Sequence, residues 1–451
     1  MKIVQHVEEA VNSADIPPGS RIYVSGNAST PQILLRQLAE DTTIKDVELL
    51  GILLMGDIET LFSDGCCDRV THRIIFNGTQ SRGALNTGKA MYQLMHLSDI
   101  PRQLRKHIRP NIVFLSVSGP DKGGNFSLGT AAEALPAAME TARAAGGCVI
   151  AERNVQMPFV LGTTVKAGEI DYMVEADYEL PTHPTIVSDA QAEKIGRLIA
   201  QRYIHDRCTL QYGIGDVPEA VTQAILEKGV KDLGIHTELF ATAMRKLVEA
   251  GAVTNRYSRR GFAISTVFLA EDKEGYEWLD YNSSIQSRPC DVTNAMLSIA
   301  SEPNMVAINS AIGVDLHGNV WADSLEADKI YSGIGGQADY LRGATLSPDG
   351  VAIIAMKSKT ANGSPKILTQ SPKGITTTAI AADPVVIVTE YGAFDPRGLS
   401  ICEHAVGIAY LSGPERREKL LKHIYESERF HKPRQALNDR SPKGFFPYEA
   451  L

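Results

Sequence analysis

The sequence predicts an α/β protein built on mostly parallel sheets, and three observations carry that expectation. Short apolar, β-branched runs alternate with segments of helical period along the whole chain. Several of those runs are apolar throughout, as strands buried on both faces of a parallel sheet must be. With 451 residues, the chain is long enough for two or three domains whose cores need no disulfide or metal.

In the first half, strands are expected at residues 21–26, 47–55, 72–77, 111–117 and 148–151. The second half adds 209–212, 305–309, 351–356 and 385–389. Helices are legible where caps and period agree. Ser188-Asp189-Ala190-Gln191 reads as a capping box, with Ile195, Leu198 and Ile199 following on one face. Another helix is expected from Thr237, carrying Leu239, Phe240, Ala243, Met244, Leu247 and Val248 on its apolar side and stopped by Gly251. Between the two blocks runs Glu179-Leu180-Pro181-Thr182-His183-Pro184-Thr185, whose two prolines place a boundary: residues 1–184 and 185–451 are the expected domains.

Acidic residues number 53 against 45 basic ones, a net charge of −8, which argues against broad phosphate-neutralising contact with nucleic acid. A local basic pocket remains compatible with that balance. The 43% hydrophobic and 22% charged residues are those of a soluble globular protein. No apolar run approaches the ~20 residues that span a bilayer. The N-terminus turns acidic at Glu8-Glu9 and has no signal-peptide core, so a cytoplasmic protein without membrane attachment is expected. Cys66, Cys67, Cys148, Cys208, Cys290 and Cys402 form no C-x-x-C pair, and adjacent Cys66-Cys67 are poorly placed for a disulfide. The histidines show no metal-ligand spacing, so no metal is expected.

Three glycine-rich segments invite a phosphate or oxyanion reading. Gly83-Ala84-Leu85-Asn86-Thr87-Gly88-Lys89 lacks the hydroxyl a P-loop needs next, since Ala90 follows; a turn leading into an amphipathic helix is the better expectation. Gly213-Ile214-Gly215-Asp216-Val217-Pro218-Glu219 follows a strand directly. There Asp216 can cap a helix with Glu219 three residues on, and Pro218 suits its first turn. Its amides can hold phosphate or a developing oxyanion, although a plain strand-to-helix turn fits as well, and a third dinucleotide-type glycine is absent. Ser332-Gly333-Ile334-Gly335-Gly336 is a second small-residue loop rich in amides, and two such loops in one half are more informative than either alone. There is no G-x-S-x-G elbow.

Further segments fall in the same order: Ser118-Gly119-Pro120-Asp121, Asn125-Phe126-Ser127-Leu128-Gly129, Ala151-Glu152-Arg153-Asn154 with Met157-Pro158, and Gly234-Ile235-His236-Thr237-Glu238. Met305-Val306-Ala307-Ile308-Asn309-Ser310-Ala311-Ile312 and Val388-Thr389-Glu390-Tyr391-Gly392 complete the set. Together with the glycine loops they resemble the acetyl-CoA hydrolase/transferase family, in its 4-hydroxybutyrate CoA-transferase-like branch, along nearly the whole chain. The resemblance implies two related CoA-transferase-type α/β domains with the active site between them, in a homo-oligomer. It implies coenzyme A or acyl-CoA as substrate, with a small carboxylate or other acceptor.

In that chemistry a glutamate attacks the acyl-CoA carbonyl to give a mixed anhydride, and the released thiolate then forms a glutamyl-CoA thioester. By resemblance, Gly213, Ile214, Gly215, Asp216, Val217 and Pro218 line the CoA site with Gly333, Gly335 or Gly336 supplies an oxyanion amide, and Lys366 contacts CoA. Alignment of Ser284-Ile285-Gln286-Ser287-Arg288-Pro289-Cys290-Asp291 puts Gln286 where the nucleophilic glutamate belongs. Its amide cannot act as a carboxylate nucleophile. Gly313 stands where relatives have an acidic residue, and Arg288-Pro289 where His-Pro is frequent, which points to natural divergence.

The expected activity is therefore CoA or acyl transfer from an acyl-CoA to a small acceptor. Direct attack of the acceptor on the thioester is an alternative, which would make the protein an acyltransferase or, with water, a hydrolase. His236 and Glu238 are the candidate general bases, their plain alternative being packing at a helix start. A non-catalytic CoA-binding regulatory protein is the reading from another class.

Overall fold

The computed structural model describes residues 1–430 and 442–451. Two sheets organise it. The first has eight strands, all parallel, in the order Lys2–Val4, Tyr172–Ala176, Cys148–Asn154, Ile112–Val117, Arg21–Val24, Val47–Ile52, Val70–Phe76 and Ala90–Tyr92. The second has seven, in the order Gly234–Ile235, Thr209–Tyr212, Met305–Asn309, Val351–Ala355, Val386–Thr389, Gly392–Phe394 and Phe445–Pro447. It is parallel up to Val386–Thr389, and its last two strands are added antiparallel.

Apolar residues on alternate sides of each strand feed different cores, which is why these runs lack a polar face. In the second sheet Val306, Ile308, Ile353 and Ala355 pack with the helices Ala190–Tyr203 and Asp216–Lys228. Met305, Ala307, Ala352 and Ile354 pack with Gln337–Leu346, Ile401–Tyr410 and Pro414–Glu426. In the first sheet Ile22, Val24 and Phe114 face the helix Gln32–Glu40, while Tyr23, Val113 and Leu115 face Leu135–Ala144. Among the described residues no helix is long and apolar enough to cross a membrane. No disulfide joins the six cysteines.

All nine strands expected from the sequence are present; four of them end one to three residues earlier, where a loop takes over, and Cys148–Asn154 runs three residues further. The caps differ. Asp189, not Ser188, closes the N-terminus of Ala190–Tyr203, accepting from the amides of Gln191 (3.1 Å) and Ala192 (2.9 Å). Ser188 instead donates to the Asp216 carbonyl at 2.7 Å, tying two helix starts together. The helix expected from Thr237 begins only at Thr242. Leu239–Ala241 is a short strand beside Val267–Leu269, a long-range pairing that overrides the local helical period. Its stop is as expected, with Gly251 at φ +72° after the last turn.

The glycine-lysine segment does not lead into a helix. The helix Thr79–Asn86 precedes Gly88 and Lys89, and it docks on the second half of the chain. Arg82 donates to the Tyr331 carbonyl at 3.1 Å and lies over the Tyr331 ring, while Asn86 Oδ1 accepts from Ile330 N–H at 3.1 Å.

Candidate active site

Three parallel strands of the second sheet end side by side, and the loops that leave them open a cleft of about 520 Å³. After Tyr212 comes the 213–218 loop; after Asn309 come Ser310 and Ala311; after Ala355 come Met356 and Lys357. Crevices at the carboxyl ends of parallel strands are where α/β folds bind ligands, because helix N-termini and loop amides gather there. The 332–336 loop forms the facing wall, leading into the helix Gln337–Leu346. Phe76, the last residue of a strand in the first sheet, reaches this wall and pairs with Gly333 in an antiparallel bridge. Both sheets thus contribute to the cleft.

Of the residues singled out in the sequence, Gly213, Ile214, Gly215, Asp216, Val217, Pro218, Gly333, Gly335, Gly336, Lys366 and Glu238 line this one cleft. The helix after the first loop starts at Asp216, with Gly215 as its cap at φ +150°. Asp216 is therefore the first helical residue rather than the cap, and its carboxylate meets Lys357 at 2.5 Å. Glu219 completes no capping box; it pairs with Lys246 at 2.7 Å. Lys357 also reaches Asp189 at 2.7 Å. Lys359 and Lys366 add positive charge to the rim, and burial pushes the Lys366 ammonium below its ordinary pKa.

Of the two acids in the cleft lining, Asp216 is paired with Lys357, and Glu238 is held by a neutral amide. Glu238 sits between the edge strand Gly234–Ile235 and the short strand Leu239–Ala241, held there by its carbonyl, which accepts from Thr266 N–H (3.2 Å), Val267 N–H (3.0 Å) and Ser265 Oγ (2.9 Å). Its carboxylate accepts from Asn294 Nδ2 at 2.7 Å and lies against the Gly336 backbone. Burial pushes its pKa up to about 7, a shift that the Asn294 bond opposes and the Asp339 charge reinforces. A Cβ on Gly336 would lie 1.9 Å from Glu238 Oε2, so only glycine lets that backbone come so close. The arrangement is a carboxylate held by one fixed amide donor and closely flanked by the Gly336 backbone at the end of a cationic cleft.

Gln286, expected at the nucleophile's position, is not among the residues that line this cleft. It belongs to the strand Ile285–Ser287, which pairs with Ala263–Ser265, and its side-chain oxygen accepts from Arg288 Nη2. Arg288 packs over the Phe262 ring. Gly313 answers to packing: a Cβ there would meet the Trp321 ring at 2.2 Å. His236 also lies outside the cleft lining. It is buried, with Nε2 2.8 Å from the Thr293 carbonyl and Nδ1 3.3 Å from Glu302 Oε1. Both nitrogens are engaged, which fits packing rather than base catalysis.

Asn294, Phe76, Lys357 and Lys359 were not anticipated as site residues. The ends of the strands 72–77 and 351–356 were the available signals for all but Asn294, which lies in an irregular turn between two short helices. Among the described residues no group of three or more His, Cys, Asp or Glu is arranged to hold a metal ion.

Residues 1–183 match the acetyl-CoA hydrolase/transferase N-terminal domain, and residues 272–424 match the C-terminal domain of the same name. The chain belongs to the acetyl-CoA hydrolase/transferase family. It is similar to the succinyl-CoA:acetate/propanoyl-CoA:succinate CoA transferase of Fasciola hepatica, 33% identical over 90% of this chain and 85% of that one. To the 4-hydroxybutyrate coenzyme A transferase of Clostridium kluyveri it is 32% identical, over 92% of this chain and 95% of that one. Among solved structures, RipA from Yersinia pestis superimposes with a TM-score of 0.86 at 29% identity, covering 94% of this chain and 97% of that one. Like its relatives, this family member is a CoA-transferase-like transferase or hydrolase.

Proposed function

We propose that the protein moves coenzyme A from an acyl-CoA to a small carboxylic acid through a thioester on Glu238. The observation that carries this reading is the Glu238 carboxylate, half-buried at the end of the cleft with Asn294 Nδ2 bonded to it and the Gly336 backbone against it. The Glu238 carboxylate attacks the thioester carbonyl carbon; the tetrahedral adduct collapses, the C–S bond breaks and CoA thiolate leaves a mixed anhydride. The thiolate then attacks the Glu238 carbonyl carbon. Negative charge develops on a Glu238 oxygen at this step, where Asn294 Nδ2 already donates and the Gly336 amide lies close by. The acyl carboxylate departs, a second carboxylic acid enters as carboxylate, and the same steps run in reverse.

CoA enters along the 213–218 loop, and its phosphates meet Lys357, Lys359 and Lys366. The fold is read as two related domains, 1–184 and 185–451, working as a homo-oligomer. The direct-attack route rested on Gln286 replacing the nucleophile, and with Gln286 outside the cleft that motive lapses. Relatives named acetyl-CoA hydrolase, such as that of Kluyveromyces lactis at 26% identity, keep water in view as acceptor.

Incubation with an acyl-CoA, borohydride reduction and peptide mass analysis test the reading. A reduced side chain at position 238 is expected. Acyl-CoA turnover that leaves Glu238 unmodified, or an adduct at another residue, would overturn it. Measuring exchange into acetate, butyrate and succinate against release of free CoA separates transferase from hydrolase.

A further inference from the structure

We propose that Ser98 and Asp339 form a clamp that aims the Gly336 amide at Glu238, which makes Asp339 a positioning residue for the transfer reaction. The inference rests on the reading of Glu238 as nucleophile. The peptide between Gly335 and Gly336 has two ends. At its Gly336 end it lies against the Glu238 carboxylate, where a Cβ would come within 1.9 Å of Oε2, and its C=O accepts from Leu97 N–H at 3.1 Å. In a trans peptide these groups point in opposite directions, so whatever holds the carbonyl also sets the direction of the amide. Gly335 makes this possible by taking φ +58°, which turns the chain sharply just before the helix Gln337–Leu346.

The holder comes from the other half of the chain. Leu97 opens a short turn, Leu97–Asp99, that follows the edge strand Ala90–Tyr92 of the first sheet. The next residue, Ser98, gives Asp339 two bonds: its N–H to Oδ2 at 3.1 Å and its hydroxyl to Oδ1 at 2.7 Å. Asp339 is 8% exposed and lies in the first turn of the helix that begins directly after Gly336. A bidentate, mostly buried contact of this kind fixes both translation and rotation of that helix start against the first half. Asp339 is not in the cleft lining; besides its charge, it acts on Glu238 through the peptide.

The test separates the clamp from its charge and from mere stability. Asn at position 339 can keep both bonds, its Oδ1 accepting from Ser98 N–H and its Nδ2 donating to the Ser98 hydroxyl. Steady-state kinetics with acyl-CoA and a carboxylate acceptor should show kcat of Asp339→Ala lowered about 10- to 100-fold, with KM for acyl-CoA changed less than about twofold. Asp339→Asn should recover most of that loss. Ser98→Ala, which removes only the hydroxyl, should lower kcat about threefold to tenfold and serves as the deciding variant if Asp339→Ala does not fold.

Glu238→Gln is measured alongside. If it is inactive while folded Asp339→Ala or Ser98→Ala keeps full kcat, the clamp is overturned and the Glu238 reading stands. A KM rise without loss of kcat would equally overturn the clamp. Should Glu238→Gln keep full activity, the underlying reading falls, and the clamp with it.

Discussion

Asn294 Nδ2 donates to Glu238 Oε2 at 2.7 Å, and Asn294 is itself held by Thr293, whose hydroxyl donates to Asn294 Oδ1 at 2.8 Å. With its oxygen occupied in this way, the Asn294 amide is fixed with its nitrogen toward Glu238. A neutral donor is suited to this place. A lysine would hold the carboxylate in a tight ion pair and blunt it as a nucleophile, whereas an amide stabilises charge on the oxygen without neutralising it.

Replacing Glu238 by Gln should lower acyl-CoA:carboxylate exchange by about 10³-fold or more, because on the proposed route Glu238 carries the covalent step. Gln286→Glu and Gln286→Ala should each stay within about threefold of the unaltered protein, since position 286 is a strand residue bonded to Arg288 rather than a cleft residue. Exchange assays on the three variants decide between the positions. A dead Gln286→Ala beside an active Glu238→Gln would reverse the assignment.

The elevated Glu238 pKa, about 7, has a consequence for activity and one for stability. On the proposed route the nucleophile works as a carboxylate, so kcat/KM should rise with pH and level off above about 7. In the unfolded chain the same group titrates near the ordinary 4.5, so the folded state holds its proton more tightly. Native stability from this group is therefore lost as pH rises from about 4.5 to 7 and is constant above, a cost of the order of 3 kcal/mol. Glu238→Gln should accordingly be more stable than the unaltered protein at pH 8, the gain shrinking toward pH 5. Denaturant unfolding at several pH values measures it; a gain that grows toward low pH would contradict the buried-acid account.

The sheets were legible because their strands are uniformly apolar, and a run such as Met305–Asn309 needs no distant information to be recognised. The site was less so, for two physical reasons. Leu239 and Phe240 satisfy a helical period with Ala243 and Met244, yet they pair with Val267–Leu269 about 28 residues away, which no local pattern reveals. Reading a helix there left Glu238 as a candidate base at a helix start, not as a carboxylate at the end of a cleft. Gln286 was placed by alignment of a short motif, and whether a strand residue faces a cleft depends on the neighbouring chain. Phe76 reaches the cleft only because Gly333, 257 positions later, pairs with it.

Lys366 is predicted to matter for CoA affinity rather than for chemistry. Burial lowers its pKa, the charges of Asp216 and Glu390 partly restore it, and Lys357 is already paired with Asp189 and Asp216. Lys366→Ala should raise KM for acyl-CoA about tenfold with kcat nearly unchanged, and should weaken the salt dependence of KM. Kinetics across a range of ionic strength check it, and an unchanged KM would remove Lys366 from the CoA site.

Gly215→Val should weaken CoA binding by backbone strain rather than by collision. A Cβ at Gly215 meets only Pro218, at 3.4 Å and 3.9 Å, but φ is +150°, where a β-branched residue costs about 1–3 kcal/mol. Relief of that strain moves the amides at the start of the helix Asp216–Lys228. Calorimetric titration with CoA on the folded variant should show affinity reduced about tenfold or more; equal affinity would mean that the loop does not shape the site.

Gly336→Ala isolates the opposite effect. Here φ is −101°, which any residue adopts, so the backbone itself is not strained. The new methyl would instead lie 1.9 Å from Glu238 Oε2 and 2.1 Å from Asn294 Nδ2, within the hydrogen bond that orients the carboxylate. Either the carboxylate or the loop must move. Either movement separates Glu238 from a donor that stabilises it during thiolate attack, a loss of about 10²- to 10³-fold in kcat. CoA affinity should change little, because the 213–218 loop is untouched, and overpacking should cost about 1–3 kcal/mol of stability. Borohydride trapping at Glu238 should fall in step with kcat. A Gly336→Ala protein that turns over normally would mean that the Gly336 amide takes no part in holding the oxyanion.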